Sequence, residues 1–292
     1  MAGWDDILKE LNETMSQSDY VRRKYLKQLS DYTGRNTIAY YSAFLSNPQA
    51  DNIDINDLDM TGFMNALKGM ECKKGLDLIL HTPGGSPAAA EAIISYLRNK
   101  FNYDIRVIVP QMAMSAGTMM ACAAKEIIMG KQSSLGPIDP QFNGIPAYNI
   151  QMEFEEAKID LAANPQNAQY WAIKLQQYPA AFLKTAIDAI QLSGKLVREW
   201  LETGMFKGEQ AESMINTIVS RLNEHDDSKT HGRHFNLEFC KSIGLKIIEL
   251  ESDAVLQDDV LSVHHAYMLT LGGSNAIKII ECQNGKAVIS HA

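Results

Sequence analysis

One hydroxyl stands out for its surroundings. Ser115 lies in VIVPQMAMSAGTMMACAAKEIIMG, residues 107–130, where nearly every neighbour is apolar or small. A serine at a strand-to-helix turn has free backbone N–H groups beside it, and these can stabilise an oxyanion when the hydroxyl attacks a carbonyl. The same serine could equally be a plain N-cap, with the nearby glycines only making turns. Spacing alone leaves both readings open. A second turn, HTPGG at 81–85, closes another apolar segment. Glycine in such a place permits positive φ or a close approach of backbone.

The elements that must position these turns follow from periodicity. GLDLILHTPGGSPAAAEAIISYLRNKF, 75–101, reads as strand, Gly-Gly turn and helix; DIRVIVPQ is a second strand, the Ser115 turn opens a second helix, and EIIMG is a third strand. Repeated strand-turn-helix units predict an α/β fold with a mainly parallel sheet. Upstream, Trp4, Ile7, Leu8, Leu11 and Met15 recur at helical spacing, YVRRKYLKQL continues as helix, and TIAYYSAFLS, 37–46, reads as strand. DINDLDMTGFMNALKGM, 54–70, is a helix with Asp57 or Asp59 as its expected N-cap. Residues 150 to about 222 read as helical, 234–250 as helix then strand, and AIKIIECQNGKAVIS as a hairpin around Asn284-Gly285. The division expected is a helical N-terminal arm, 1–34, a main domain, 35–255, and a C-terminal extension with the hairpin, 256–292.

Bulk properties exclude several classes. The apolar run 107–130 is interrupted by Pro110, Gln111, Ser115, Gly117 and Thr118, and Lys125 and Glu126 close it. A spanning helix needs ~20 largely apolar residues, so no integral membrane segment is expected. The start, MAGWDDILKELNE, lacks a basic stretch before an apolar core, which predicts no secretory signal and a cytoplasmic protein. A net charge of −8 over 292 residues argues against a nucleic-acid partner. Cys72, Cys122, Cys240 and Cys282 lack metal-ligand spacing and read as free thiols. No cofactor or metal is expected.

Taken together and in this order, HTPGGSP, MSAGTMMACAAKEIIMG and SSLGPIDPQ resemble the Clp-fold serine proteases. The likeness is to the serine dehydrogenase proteinase family, related to signal peptide peptidase A and Clp protease, and runs from about residue 35 to 250. It implies a Clp/crotonase-type spiral of βαβ units with the helical arm attached. It also implies that Ser115 is the nucleophile and that the backbone N–H groups of Gly85 and Ala116 form the oxyanion hole. A peptide or unfolded-protein substrate would lie extended beside Gly84-Gly85.

The base is less clear from the residues. Clp protease has a histidine in the segment aligned with SSLGPIDPQ, where this chain has none and offers Asp139. Signal peptide peptidases use a lysine, which works as a base only when burial lowers its pKa. In NIQMEFEEAKIDLAA, Ile150, Phe154, Lys158 and Leu161 share one stripe, so Lys158 stands where an apolar residue belongs. It follows the serine by 43 positions, in keeping with the lysine of archaeal relatives as the resemblance implies. Lys158 is therefore the expected base; the plainer reading is a buried stem with a wet head. The rival is His231 or His234 in THGRH, with Asp139 as orienter.

These readings predict a serine endopeptidase working through an acyl-enzyme. A crotonase-like acyl-CoA enzyme and a catalytically weak scaffold of the same fold are the alternatives. The resemblance also implies a homo-oligomer, with the arm face bearing Trp4, Leu8 and Leu11, or the terminal hairpin, packing on a neighbour. Light scattering should then give a particle heavier than the 32.5 kDa chain; a 32.5 kDa particle at micromolar concentration would refute assembly.

Overall fold

A computed structural model describes residues 18–223 and 230–292. The stripe Trp4 to Met15 lies outside the described residues. Helix α1 (Ser18–Thr33) contains YVRRKYLKQL as anticipated, and strand β1 (Asn36–Ser42) follows, ending four residues sooner than the sequence suggested. Helix α2 (Asp59–Leu67) leads to β2 (Leu76–His81), and α3 (Pro87–Phe101) leads to β3 (Ile105–Val109). After the short strand β4 (Met112–Ala113), α4 (Ala116–Cys122) leads to β5 (Glu126–Met129). Short strands β6 (Ser134–Leu135), β7 (Gln141–Phe142) and β8 (Ile145–Pro146) precede helices α5 (Ala147–Ala163), α6 (Ala168–Leu175), α7 (Phe182–Thr203) and α8 (Glu212–Asn223). The chain continues through β9 (Phe235–Asn236), α9 (Leu237–Ser242), β10 (Ile247–Glu249), α10 (Ala254–Gly273), β11 (Ala276–Cys282) and β12 (Ala287–His291).

The main sheet runs β10-β5-β3-β2-β1-β11-β12. The first five in that order are parallel neighbours, and β11 and β12 add antiparallel strands. From β1 through β2, β3 and β5 to β10, each crossover steps the same way along the sheet. With crossovers of one hand, such stepping puts every crossover helix on one face. Phe63 of α2, Leu97 of α3, Met119 of α4, Leu196 of α7 and Ile218 of α8 accordingly share one core. The opposite face is closed by α1 and α10, through Leu26, Val260 and Tyr267.

Local chemistry explains the entry to α3. The Ser86 side chain accepts the Ala89 N–H, Pro87 fills the first turn where an N–H would be unpaired, and Asn102 turns left-handed at the end. This cap fixes the direction in which the chain leaves the Gly84-Gly85 turn.

Two features differ from the sequence reading. Neither Asp57 nor Asp59 caps α2, whose start has no side-chain cap. Asp59 is buried instead and accepts from Lys278 Nζ (2.8 Å), Tyr40 Oη (2.8 Å) and the Asn56 N–H (3.0 Å), because β11 brings a cation to it. Second, α10 was not read from the sequence. Ten of its 20 residues are buried and they include polar Asp259, Ser262, His264 and Thr270, so SVHHAYMLTLGG shows no clean apolar stripe. The terminal hairpin forms with Gly285 at φ 75°, and β11 pairs along β1 of the same sheet. The strand left at the edge is β12.

Among the described residues no helix is long and apolar enough to cross a membrane. All four cysteines are free, as expected.

Behind β2, on the α10 side, His81 and His264 stack with Tyr41 in a buried cluster. Burial pulls His81 down to about 4, against the opposing hydrogen bond to Gln111, and holds His264 well below the ordinary histidine range. Unfolded histidines protonate near ~6.5, so between that pH and about 4 the unfolded chain binds more protons than the folded one. Stability should therefore fall as pH drops through this window. Urea titrations at stepped pH should show the slope, and His264→Leu should flatten it; an unchanged slope would remove these histidines as the cause.

Candidate active site

The two glycine-bearing turns are zipped together by main chain. The Thr82 N–H donates to Met112 O (3.2 Å) and the Met114 N–H donates to Thr82 O (3.0 Å). This pairing sets the end of β2 beside the residues leading to Ser115. Ser115 itself adopts φ 50°, ψ −116°, a positive φ that side chains of L-residues rarely take. Directly after it the Gly117 N–H bonds Met114 O (2.8 Å), and the Met119 N–H bonds Ser115 O (3.1 Å), starting α4. Thr118 locks the turn from below: its hydroxyl donates to Ala113 O and accepts the Gly136 N–H, both at 2.9 Å. Ser115 precedes the helix but makes no capping hydrogen bond, so the plain-cap reading of its side chain is not realised.

The sharp turn needs a partner without a side chain. A Cβ at Gly84, at φ 102°, would stand 2.6 Å from Ser115 Cβ and 2.7 Å from Met114 O. Gly85, at φ 145°, has the Ile55 backbone 2.4 Å from where a Cβ would be. Both contacts are with fixed atoms and leave nothing to move aside.

Hydrogen-bond direction shows where Gly85 points. Ile55 pairs with it as a single parallel bridge: the Ile55 N–H donates to Gly84 O (2.7 Å) and the Ser86 N–H donates to Ile55 O (2.8 Å). In a trans peptide the N–H and C=O point opposite ways. The Gly85 N–H and C=O therefore lie on the edge away from Ile55. By the same rule the Ala116 N–H, opposite the Ser115 carbonyl that starts the helix, points out of the α4 N-terminus.

Gly85 and Ser115 both line a cleft of about 710 Å3. Its walls are apolar, with Met119, Ile138, Phe142 and Leu192 contributing from α4, the 133–142 segment and α7. His231 is the one titratable side chain among the described residues that line it. Its Nδ1 lies 2.8 Å from Asp139 Oδ1. Asp139 is buried, and its other oxygen accepts from Gln141 Nε2 (2.7 Å). A carboxylate so held fixes the imidazole orientation and leaves Nε2 available.

The other candidates lie elsewhere. Lys158 is 65% exposed and ion-paired with Glu155 at 2.6 Å. The stripe expectation is corrected: α5 buries Ala147, Ile150 and Ala157, so its inward face passes one residue before Lys158 and leaves the ammonium in water. The desolvation that a lysine base requires is absent there. His234 is exposed, with Nδ1 2.8 Å from Ser134 Oγ. His81 is buried behind the sheet and does not border the cleft. Ile55 and Gln141 support the site without having been singled out from the sequence. Ile55 sits in the polar stretch DNIDIND, where an isolated isoleucine carries no signal; Gln141 ends the quoted SSLGPIDPQ.

The Gly84 contact gives a stability prediction. Gly84→Ala combines overpacking with a strained φ and should cost about 2–4 kcal/mol in urea denaturation. A variant as stable as the wild type would show that the turns separate easily.

Comparison with known proteins agrees with this geometry. A family described as ClpP-like SDH-type serine proteinase matches residues 10–166, more than half of the chain. An uncharacterized protein of Methanocaldococcus jannaschii is 41% identical over 104 residues, 36% of each chain. A second uncharacterized protein of that organism is 47% identical over 75 residues, 26% of this chain and 25% of its own. The chain thus spans about a third or less of the length of these curated relatives. The match over 10–166 takes in the Ser115 turn, the paired glycines and the strands β1 to β5, and the chain belongs to the ClpP-like SDH-type serine proteinase family.

Proposed function

We propose that this protein is a serine endopeptidase whose base is His231 rather than Lys158. The observation that carries this reading is the single cleft shared by Ser115, Gly85 and His231, with buried Asp139 behind the imidazole. In the proposed reaction a peptide lies extended beside Gly85, using the edge left open by Ile55. Ser115 Oγ attacks the scissile carbonyl while His231 Nε2 takes its proton. Negative charge then develops on the former carbonyl oxygen, within reach of the Gly85 and Ala116 N–H groups. The imidazolium returns the proton to the leaving amine, giving an acyl-enzyme and a free amino terminus. Water, deprotonated by the same imidazole, attacks the ester; Ser115 regains its proton and the acid product leaves. Asp139 holds one tautomer and balances the charge on the imidazolium.

Apolar walls suit unfolded or peptide substrates with apolar side chains. The absence of Lys and Arg among the described lining residues removes support for an acyl-CoA substrate, whose phosphates need cations. Neither nucleic acid nor a metal has a role in this reading. A homo-oligomer and a cytoplasmic location belong to the same proposal.

One set of variants tests it. A fluorophosphonate probe should label the wild type and leave Ser115→Ala unlabelled, and hydrolysis of a peptide ester should be lost in that variant with little change in stability. His231→Ala should lose about 100-fold or more in kcat, the usual contribution of a general base. Lys158→Arg should remain active. An active Ser115→Ala would sink the hydrolase reading; a dead Lys158→Arg beside an active His231→Ala would return the base to the lysine.

A further inference from the structure

A buried ion pair far along the chain is tied by hydrogen bonds to the open edge of Gly85. Lys278 of β11 and Asp59 of α2 are both nearly inaccessible, with side-chain exposures of 4% and 3%. Their bonds converge on one short segment. Lys278 Nζ donates to Asp54 O (2.6 Å) as well as to Asp59 Oδ1 (2.8 Å). The other Asp59 oxygen accepts the Asn56 N–H (3.0 Å) and the Tyr40 hydroxyl (2.8 Å). The two peptide groups that flank Ile55 are thus gripped from one edge. From the opposite edge the same two peptide groups, through the Ile55 N–H and C=O, hold Gly84 O and the Ser86 N–H.

From this geometry we infer that Lys278 and Asp59 are positioning residues for the Gly85 N–H, an inference that rests on the proposed hydrolase function. The ladder has three rungs. The ion pair fixes residues 54–56, these fix 84–86 as a one-bridge strand, and trans peptide geometry then turns the Gly85 N–H into the cleft. A single bridge is two hydrogen bonds long and has no neighbouring strand register to hold it. The ion pair supplies that missing restraint. A wholly structural pair could sit anywhere in the interface of β11 and α2, with its remaining donors satisfied by those elements. Here Lys278 donates to the main chain before Ile55, and Asp59 accepts from the main chain after it.

The experiment separates positioning from folding. Lys278→Met removes the donor to Asp54 O. Because it leaves a buried carboxylate alone and can unfold the chain, the double variant Asp59→Asn/Lys278→Met, which buries no charge, is assayed beside it. For folded protein, a donor displaced from the oxyanion should lower kcat for a peptide ester by about 10-fold to 100-fold, short of the loss for a donor removed outright, with KM little changed. Affinity for a peptide aldehyde, which forms a tetrahedral adduct with the serine, should fall in parallel. A folded double variant with wild-type kcat and aldehyde affinity would overturn the inference while leaving the hydrolase reading intact. A wild-type enzyme that fluorophosphonate does not label would defeat the hydrolase reading itself, and the positioning role with it.

Discussion

Close contact between two pieces of backbone governs this site. At Gly84 the chain leaving β2 passes so near Ser115 that the contact is Cβ-sized on one side only. That approach makes the Ser115 turn possible, since its strained φ is held by Thr82, Met112 and Met114 on one side and by Thr118 beneath. Strain of this kind persists only where surrounding structure over-determines it. Here the determinants are main-chain hydrogen bonds together with the Thr118 hydroxyl.

The rest of the fold keeps those two strand ends together. Stepping of β1, β2, β3 and β5 in one direction puts the C-terminal ends of β2 and β3 side by side and stacks α2, α3 and α4 on one face. Charges buried in the frame reinforce the same strands. Asp77 of β2 takes bonds from both Arg35 and Arg106, and Glu281 of β11 takes them from Arg22, Arg23 and Tyr267. Each carboxylate is buried but fully partnered, the condition under which a buried charge is tolerated. The apolar wall of the cleft joins Met119 of α4, beside the Ser115 turn, to Ile138 and Phe142 of the following segment and Leu192 of α7.

Burial separates the surroundings of Lys158 and His231 more strongly than residue type does. A lysine must be desolvated to lose its proton near neutrality, whereas an imidazole needs only orientation. Lys158 lies in water, ion-paired with Glu155. His231 meets a buried carboxylate at one nitrogen and the cleft at the other. An exposed lysine and an oriented histidine differ here because helix α5 buries a narrow face, while the 230–234 segment crosses over Asp139.

Much of this protein was legible in its sequence. The strand-turn-helix units, the α/β class, the hairpin at Asn284-Gly285 and the Ser115 turn all rest on local signals: strand and helical patterning and glycine at the turns. These are properties of a few adjacent residues and survive transfer into the fold. Contacts between distant segments were not legible. Helix α10 has no polar face to betray its period, and Asp59, read as a helix cap, became the partner of a lysine 219 positions away. The stripe carrying Lys158 faces a small core at Ile150 and Phe154 but leaves it before Lys158. His231 and Asp139 are 92 positions apart, and Ile55 and Gly85 meet only because two loops converge. Local sequence set which residues could do chemistry; long-range packing decided which of them meet, because burial and orientation are properties of neighbours that the chain brings from elsewhere.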